Sequence, residues 1–303
     1  MRWSAHTGGI FLALAGATAF SGKAIIVKLS YRHGVDAVTF IMYRMLMALP
    51  FFLAIAWWAS RQPHAVANPL SRRDAWAIAG LGFLGYYLAS FLDFLGLQTI
   101  TASLERLILY LNPTLVLLLS SLVYQHPIQA RRAWAMAISY AGVCVVFAHE
   151  LNFSGTGAAI GSALVLTSAL SYALYLMFSG QMVKRVGALR LVGLASSVAC
   201  VCCLVQFAIL KPLSAMEVAP QVLWLALLNG TACTVAPVLL VMLAIERIGA
   251  ALTAQVGMVG PMVTLTLGVW VLGEPLNLWI GLGTVLVLGG VYVASQTGEK
   301  TWT

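Results

Sequence analysis

The sequence predicts an all-α membrane protein of ten transmembrane helices, arranged as two inverted five-helix repeats, and three observations predict it. Of the 303 residues, 61% are hydrophobic and only 9% charged, and apolar stretches of about 20 residues, the length that crosses a bilayer, recur almost without pause. The second half of the chain repeats the first. The basic residues fall on alternate connections, as two opposed copies require.

The elements are bounded by clusters of polar, Pro, Gly and charged residues. Spans at about 9–30 and 37–59 are separated by YRHG, and the Pro-rich, basic SRQPHAVANPLSRR (Ser60 to Arg73) reads as a solvated loop before a span at 75–97. QTIT precedes the span at 102–124, YQHPIQARR the span at 131–149, and ELNFSGTG the span at 157–181. KRVGALR, KPLSAMEVAPQ, ERIG and GEPLN introduce spans at 189–210, 221–244, 250–272 and 276–296. The first span resembles a secretory leader, because Arg2 precedes an apolar run, but it has a counterpart inside the chain and is counted as a span.

Sliding the sequence over itself reveals that counterpart. LGLQTITASLERLILYLNPTLVLLLSSLVYQHP lies over LAIERIGAALTAQVGMVGPMVTLTLGVWVLGEP without a gap, setting Pro113 on Pro261, Pro127 on Pro275 and Gly142 on Gly290. A weaker match sets AGATAFSGKAIIVKL over TSALSYALYLMFSGQ. The chain divides into repeats 1–150 and 151–303. Each has an odd number of spans, so the second enters the membrane from the opposite side.

With the N-terminus cytoplasmic, Arg2, Arg61, Arg72, Arg73, Arg131, Arg132, Lys184, Arg185, Arg190, Arg247 and Lys300 fall inside, as does the C-terminus. Only Lys28, Arg32 and Lys211 fall outside. The net charge of +8 is therefore a topology signal rather than a nucleic-acid footprint.

Inverted repeats of helices are a recurring plan for secondary transporters, with the substrate held between the repeats. The FLGLQTITASLERL, NPTLV and GEP segments, the ten spans and the paired repeats resemble the EamA branch of the drug/metabolite transporter superfamily, from about residue 10 to 296. The resemblance implies a ten-helix bundle that moves small metabolites, often amino acids, outward without an ATPase. The family's glycine-glutamate motif after the fourth span is here Gln125, His126, Pro127, while Gly273, Glu274, Pro275 preserves it after the ninth.

Away from the extreme span ends, the first repeat carries the charges Lys23, Arg44, Asp93, Glu105 and Arg106. All fall in the outer half of the membrane, and their counterparts in the second repeat are uncharged. A charge at mid-membrane costs about 2.5 to 3.5 kcal/mol on insertion scales, so these side chains should face one another or a wet cavity. Asp93 is expected to pair with Arg44 or Lys23. Glu105 and Arg106, about 100° apart on a helix, should pair across helices rather than together.

Two readings stand side by side. In one, the charges are structural salt bridges that locate the first four helices. In the other, three cations face two anions, so either Lys23 is neutral in a low-dielectric site or one positive charge, Lys23 foremost, awaits an anionic group such as a substrate carboxylate, and Asp93 or Glu105 carries a proton that couples transport to a gradient.

Pro113 and Pro261 should kink their spans, and symmetric breaks in two repeats point to a central site. Tyr86, Tyr87, Tyr110, Tyr172 and Tyr175 are candidate cavity walls. Gly80, Gly82, Gly85, Gly281, Gly283, Gly289 and Gly290 read as close-packing surfaces between helices.

The five histidines lie at or outside span ends without zinc-like spacing, and the five cysteines sit in apolar spans as small core residues. No serine-hydrolase elbow or phosphate-cradling loop is present, so neither a metal nor a cofactor is expected. The expectation is a non-enzymatic secondary carrier, working in the exporting direction, for small organic metabolites such as amino acids in a bacterial-type inner membrane. A channel or facilitator is the alternative, and a membrane-embedded enzyme acting on lipid a more distant one.

Overall fold

The computed structural model describes residues 2–125, 129–248, 253, 256, 257 and 259–296. His126 and Pro127, Ala250, Ala254 and Lys300 therefore lie outside the described residues. Those described form helices and connections, with no strand among them.

Helix α1 (Arg2–Tyr31) is followed by α2 (Ala37–Ser60), whose N-terminus is capped by the Asp36 carboxylate accepting from the Val38 and Thr39 amides. The segment expected to be a loop contains a short helix, α3 (Pro63–Ala67), whose Ala65 carbonyl accepts a hydrogen bond from Arg190. A capping box between Ser71 and Asp74 starts α4 (Arg72–Gly82). It continues through a π-helical turn, Phe83–Leu88, into α5 (Ala89–Gly96) as one span.

The next span is broken. Helix α6 (Ala102–Leu109) stops, and α7 (Asn112–Tyr124) starts afresh with Pro113 in its first turn. Pro113 does more than the expected kink: at a helix start its missing N–H is one that would have no intrahelical partner.

Helical hydrogen bonding then runs without a gap through α8 (Ala130–Val186), where the sequence suggested a break after His149. Val143 and Ala169 would stand about 39 Å apart on a straight helix at ~1.5 Å per residue, yet both pack in the cluster around Leu111 and Leu115. The run therefore doubles back, and its apolar stretches Ala133–His149 and Thr156–Val186 lie on either side of the reversal.

Helix α9 (Ala188–Leu210) leads to α10 (Pro220–Gly230), a second π-helical turn, Thr231–Val235, and α11 (Ala236–Ile248). Then follow α12 (Gly260–Leu267), with Pro261 in its first turn, a third π-helical turn, Gly268–Leu272, and α13 (Leu278–Gln296). The offset that lays Pro113 over Pro261 also lays Phe83 over Thr231, the first residues of two π-helical turns.

Among the described residues, seven helices are long and apolar enough to cross a membrane, and three shorter apolar ones accompany them. The exposed surface is apolar, with Trp57, Trp58 and Trp76 towards one end and Trp224, Trp270 and Trp279 towards the other, as in membrane interfacial belts. The chain is an all-helical membrane protein.

Small residues let backbones touch. A Cβ on Gly142 or on Gly283 would lie 2.7 Å from the other's carbonyl oxygen, so α8 and α13 meet there with no room for a side chain. Gly80, Gly281 and Gly289, by contrast, face open space and are not packing surfaces within the fold.

Candidate functional site

The buried charges gather where α1, α2, α5 and α6 converge with residues of the second half. Helix α1 supplies Phe20, Ser21 and Lys23; α5 supplies Asp93 and Phe94; α6 supplies Glu105 and Arg106; and α2 supplies Arg44. Lys23 Nζ lies 2.6 Å from Asp93 Oδ2 and 3.6 Å from Glu105 Oε1. Glu105 is wholly buried, and the other four are at most 7% exposed.

Arg106 donates from Nη2 to Ser21 Oγ at 3.1 Å, and Ser21 Oγ donates to Gly260 O at 2.9 Å, at the start of α12. Tyr110, at the break between α6 and α7, donates to Gly257 O. The break before Pro113 and the proline-marked start of α12 are thus joined by hydrogen bonds. Gly260 makes the approach possible, because a Cβ there would lie 2.8 Å from Arg106 Nη2.

Arg44 donates from Nε to Thr234 Oγ1 at 3.0 Å. Thr234 Oγ1 donates to Asn229 O at 2.7 Å, and Asn229 Nδ2 donates to Lys23 O at 3.0 Å. This chain runs through the π-helical turn Thr231–Val235, whose loosened ladder frees carbonyls for such contacts.

Aromatic rings separate the cations. Arg106 lies 4.9 Å from the Phe20 ring and Lys23 5.4 Å from it. Lys23 lies 6.0 Å and Arg44 5.0 Å from the Phe94 ring. Each ring face offers negative electrostatic potential to the cations beside it.

The cluster is not saturated. Asp93 Oδ1, both Glu105 oxygens, Arg44 Nη1, Arg106 Nε and Asn229 Oδ1 are buried with no hydrogen-bond partner among the described residues. Buried polar groups in folded proteins are nearly always paired, and an unpaired buried charge is among the most destabilising features a fold can hold. Such a set is what a solute, water or proton would complete.

Of the residues singled out from sequence, Lys23, Arg44, Asp93, Glu105, Arg106 and Tyr110 come together, and Pro113 and Pro261 begin the helices that bracket them. Asp93 pairs with Lys23, not Arg44, and Glu105 faces Lys23 rather than Arg106. Tyr172 and Tyr175 form a separate cluster with Tyr86, in which Tyr86 and Tyr175 are hydrogen-bonded at 3.0 Å and the Tyr172 and Tyr175 rings are 5.5 Å apart.

The two ends of the bundle differ. Beyond α5, Lys28 Nζ donates to Ile100 O at 2.6 Å and Leu97 O at 3.2 Å, and Arg32 donates to Leu272 O. Glu274 Oε1 accepts from the Ala102 amide at 2.7 Å and Oε2 from Ser103 Oγ at 2.7 Å, capping α6 from the far half of the chain. The sequence displayed Glu274 only as part of a motif.

At the opposite end of the same spans, a cavity of about 680 Å³ lies between α4 and the end of α8. Arg73, Asp74, Gln181 and Arg185 line it together with Leu81, Leu84, Phe178 and Met182. Asp74, itself buried, is ion-paired with Arg185 at 2.9 Å.

Comparison with known proteins gives the family and the fold. The chain is 30% identical over 98% of its length to the "Uncharacterized transporter YcbK" of Bacillus subtilis (strain 168), covering 96% of that protein. A solved structure titled "Crystal structure of protein" shares the fold with a TM-score of 0.62, at 16% identity, over 95% of this chain and 96% of its own. The EamA-like transporter family matches twice, at residues 7–148 and 159–296, and so accounts for nearly the whole chain. The protein is a membrane transporter belonging to the EamA-like transporter family.

Proposed function

We propose that the protein is a secondary carrier that exports small organic metabolites, amino acids among them, across the inner membrane by alternating access. Its ten spans form two inverted five-helix repeats, 1–150 and 151–303, with both termini in the cytoplasm. The solute binds between the repeats, where Lys23, Arg44, Asp93, Glu105 and Arg106 meet residues of the second half. A carboxylate-bearing solute suits the surplus of cations there, and Asp93 or Glu105 carries the coupling proton.

One observation carries this reading: a buried, incompletely bonded charge cluster lies between a hydrogen-bonded end and an end with a cavity. A carrier needs a site that one gate closes while the other opens. In this reading Lys28, Arg32 and Glu274 belong to the outer gate. The 680 Å³ cavity beside Asp74 and Arg185 is part of the cytoplasmic opening, and Tyr86, Tyr172 and Tyr175 pack in the apolar cluster that includes Leu81 and Met182 of its lining. The matched positions of Pro113 and Pro261, and of the π-helical turns at Phe83 and Thr231, support two copies of one repeat.

The test is uptake of radiolabelled amino acids and other small carboxylates into proteoliposomes, with and without an imposed pH gradient. The carrier reading expects saturable, gradient-driven accumulation that Asp93→Asn abolishes. Uptake indifferent to both the gradient and Asp93 would leave a facilitator, and no saturable uptake of any solute would refute transport through this site.

A further inference from the structure

We propose that Arg44, not Lys23, receives the anionic group of the cargo, and that the cargo is a monocarboxylate with an apolar tail. The inference deepens the carrier reading above and rests on it for the word cargo, but not for binding itself.

The charge pairing separates the three cations. Lys23 is held by Asp93 at 2.6 Å with Glu105 at 3.6 Å, so both carboxylates of the cluster surround one ammonium. Arg106 has a terminal nitrogen, Nη2, engaged by Ser21. Arg44 bonds through Nε alone, which leaves both of its terminal nitrogens without a hydrogen-bond partner among the described residues. It forms no ion pair among the described residues, although it is only 5% exposed. Its guanidinium is fixed from one side by Thr234 at Nε and from below by the Phe94 ring at 5.0 Å, while Nη1 has no partner.

A guanidinium held at Nε and on one face presents its remaining N–H edge in a fixed plane. That edge matches a planar carboxylate. A single such edge, with no second cation shown against it, fits one negative charge better than a phosphate dianion.

The surroundings define the rest of the ligand. Cys200, Cys203, Cys233 and Met45 belong to the same buried apolar cluster as Phe94, whose ring lies against Arg44, and Cys200 Sγ lies 3.8 Å from Met45 Sδ. These side chains are soft and weakly polar, so the body of the ligand is apolar rather than a sugar or a polyol. The hydrogen-bond chain from Thr234 to Asn229 to the Lys23 carbonyl connects this site to the Lys23 cluster through a π-helical turn.

The test uses the purified full-length chain in nanodiscs at fixed pH and ionic strength, with sodium chloride as the control salt. The straight-chain carboxylates from acetate to octanoate are compared with their amides and amines for their shift of the melting midpoint. They are compared also for protection of the buried thiols from methyl methanethiosulfonate. The inference expects a mid-length carboxylate to stabilise and protect, with its amide about 10- to 100-fold weaker, as for loss of a charged hydrogen bond. Arg44→Gln should abolish the carboxylate effect and Arg44→Lys should weaken it.

Three results would overturn it: amides acting as well as carboxylates, an undiminished carboxylate effect in Arg44→Lys and Arg44→Gln, or no response of the wild type across the series. The acid-against-amide comparison needs no variant, so it stands even if Arg44→Gln fails to fold. Carboxylate binding through Arg44 without exchange into proteoliposomes would refute the carrier reading alone. Saturable transport of cations with no carboxylate binding would refute this inference alone.

Discussion

Glu274 accepts the Ser103 hydroxyl at 2.7 Å, and so a residue just past one span caps the first turn of the helix that carries Glu105 and Arg106. The same carboxylate accepts the Ala102 amide at 2.7 Å, placing a negative charge at the positive end of α6. Glu274→Ala should therefore lower stability by about 2–3 kcal/mol, the range for charged hydrogen bonds at a buried site, and Ser103→Ala by about 1 kcal/mol. The double variant should lose little more than Glu274→Ala alone. Chemical denaturation of the four proteins in detergent measures the coupling.

Lys23 stands between two buried carboxylates. Lys23→Met leaves both without a cation and should destabilise by about 3–5 kcal/mol. Lys23→Met combined with Asp93→Leu, which replaces the pair by apolar groups of similar size, should recover much of that loss. Transport should stay absent in the double variant, because the bundle is stable but has lost the Lys23–Asp93 pair, and Glu105 is left without its cation. Thermal melts beside counterflow assays separate the two effects, and full recovery of transport would make the pair purely structural.

Gly260 leaves the space that Arg106 fills. Gly260→Ala would put a methyl group 2.8 Å from Arg106 Nη2 and 3.3 Å from both Ser21 Oγ and Tyr110 OH, all in the join between α1, the α6–α7 break and α12. Arg106 must swing away from Ser21, so transport should fall at least about tenfold, equivalent to ~1.4 kcal/mol, while the protein still folds. Gly80→Ala, which meets nothing within 4 Å, should leave folding unchanged. Equal effects of the two substitutions on the melting midpoint would contradict the packing described.

Asp36 joins Lys211 at 3.2 Å on the connections between spans. Partial burial pushes its carboxyl up, but hydrogen bonds from the Thr39 hydroxyl, Lys211 and the Thr39 amide outweigh this and hold it below the usual carboxylate range. With a folded value below the unfolded one of about 3.9, the contribution is complete above that pH and is lost as pH falls through the folded value. Melting midpoints of the wild type should therefore drop more steeply below about pH 4 than those of Asp36→Asn. A parallel fall in both would show that this pair contributes nothing.

Hydropathy was enough to mark most spans, because a bilayer demands length and apolarity from each helix separately. The cluster was legible in outline for the same reason: Lys23, Asp93 and Glu105 are conspicuous in apolar surroundings, and the Lys23–Asp93 pairing was among the combinations foreseen. The freedom of Arg44 was not legible, since it depends on which carboxylates its neighbours have taken. Nor was the role of Glu274, whose partners lie more than a hundred residues away in sequence. ELNFSGTG read as a break because glycine and polar residues interrupt the apolar pattern, yet the backbone there keeps its helical hydrogen bonds while the direction reverses. Tyr172 and Tyr175 were legible as amphipathic residues at membrane depth, but not as a cluster apart from the charges.

The π-helical turns at Phe83–Leu88 and Thr231–Val235 each hold one residue more than an α-helical ladder would place in the same rise. If the widened turn moves along its span by one residue, the side chains it passes rotate by about 100° while both span ends stay at their membrane surfaces. A bundle built this way could exchange which faces of two helices meet its interior without any helix sliding through the lipid.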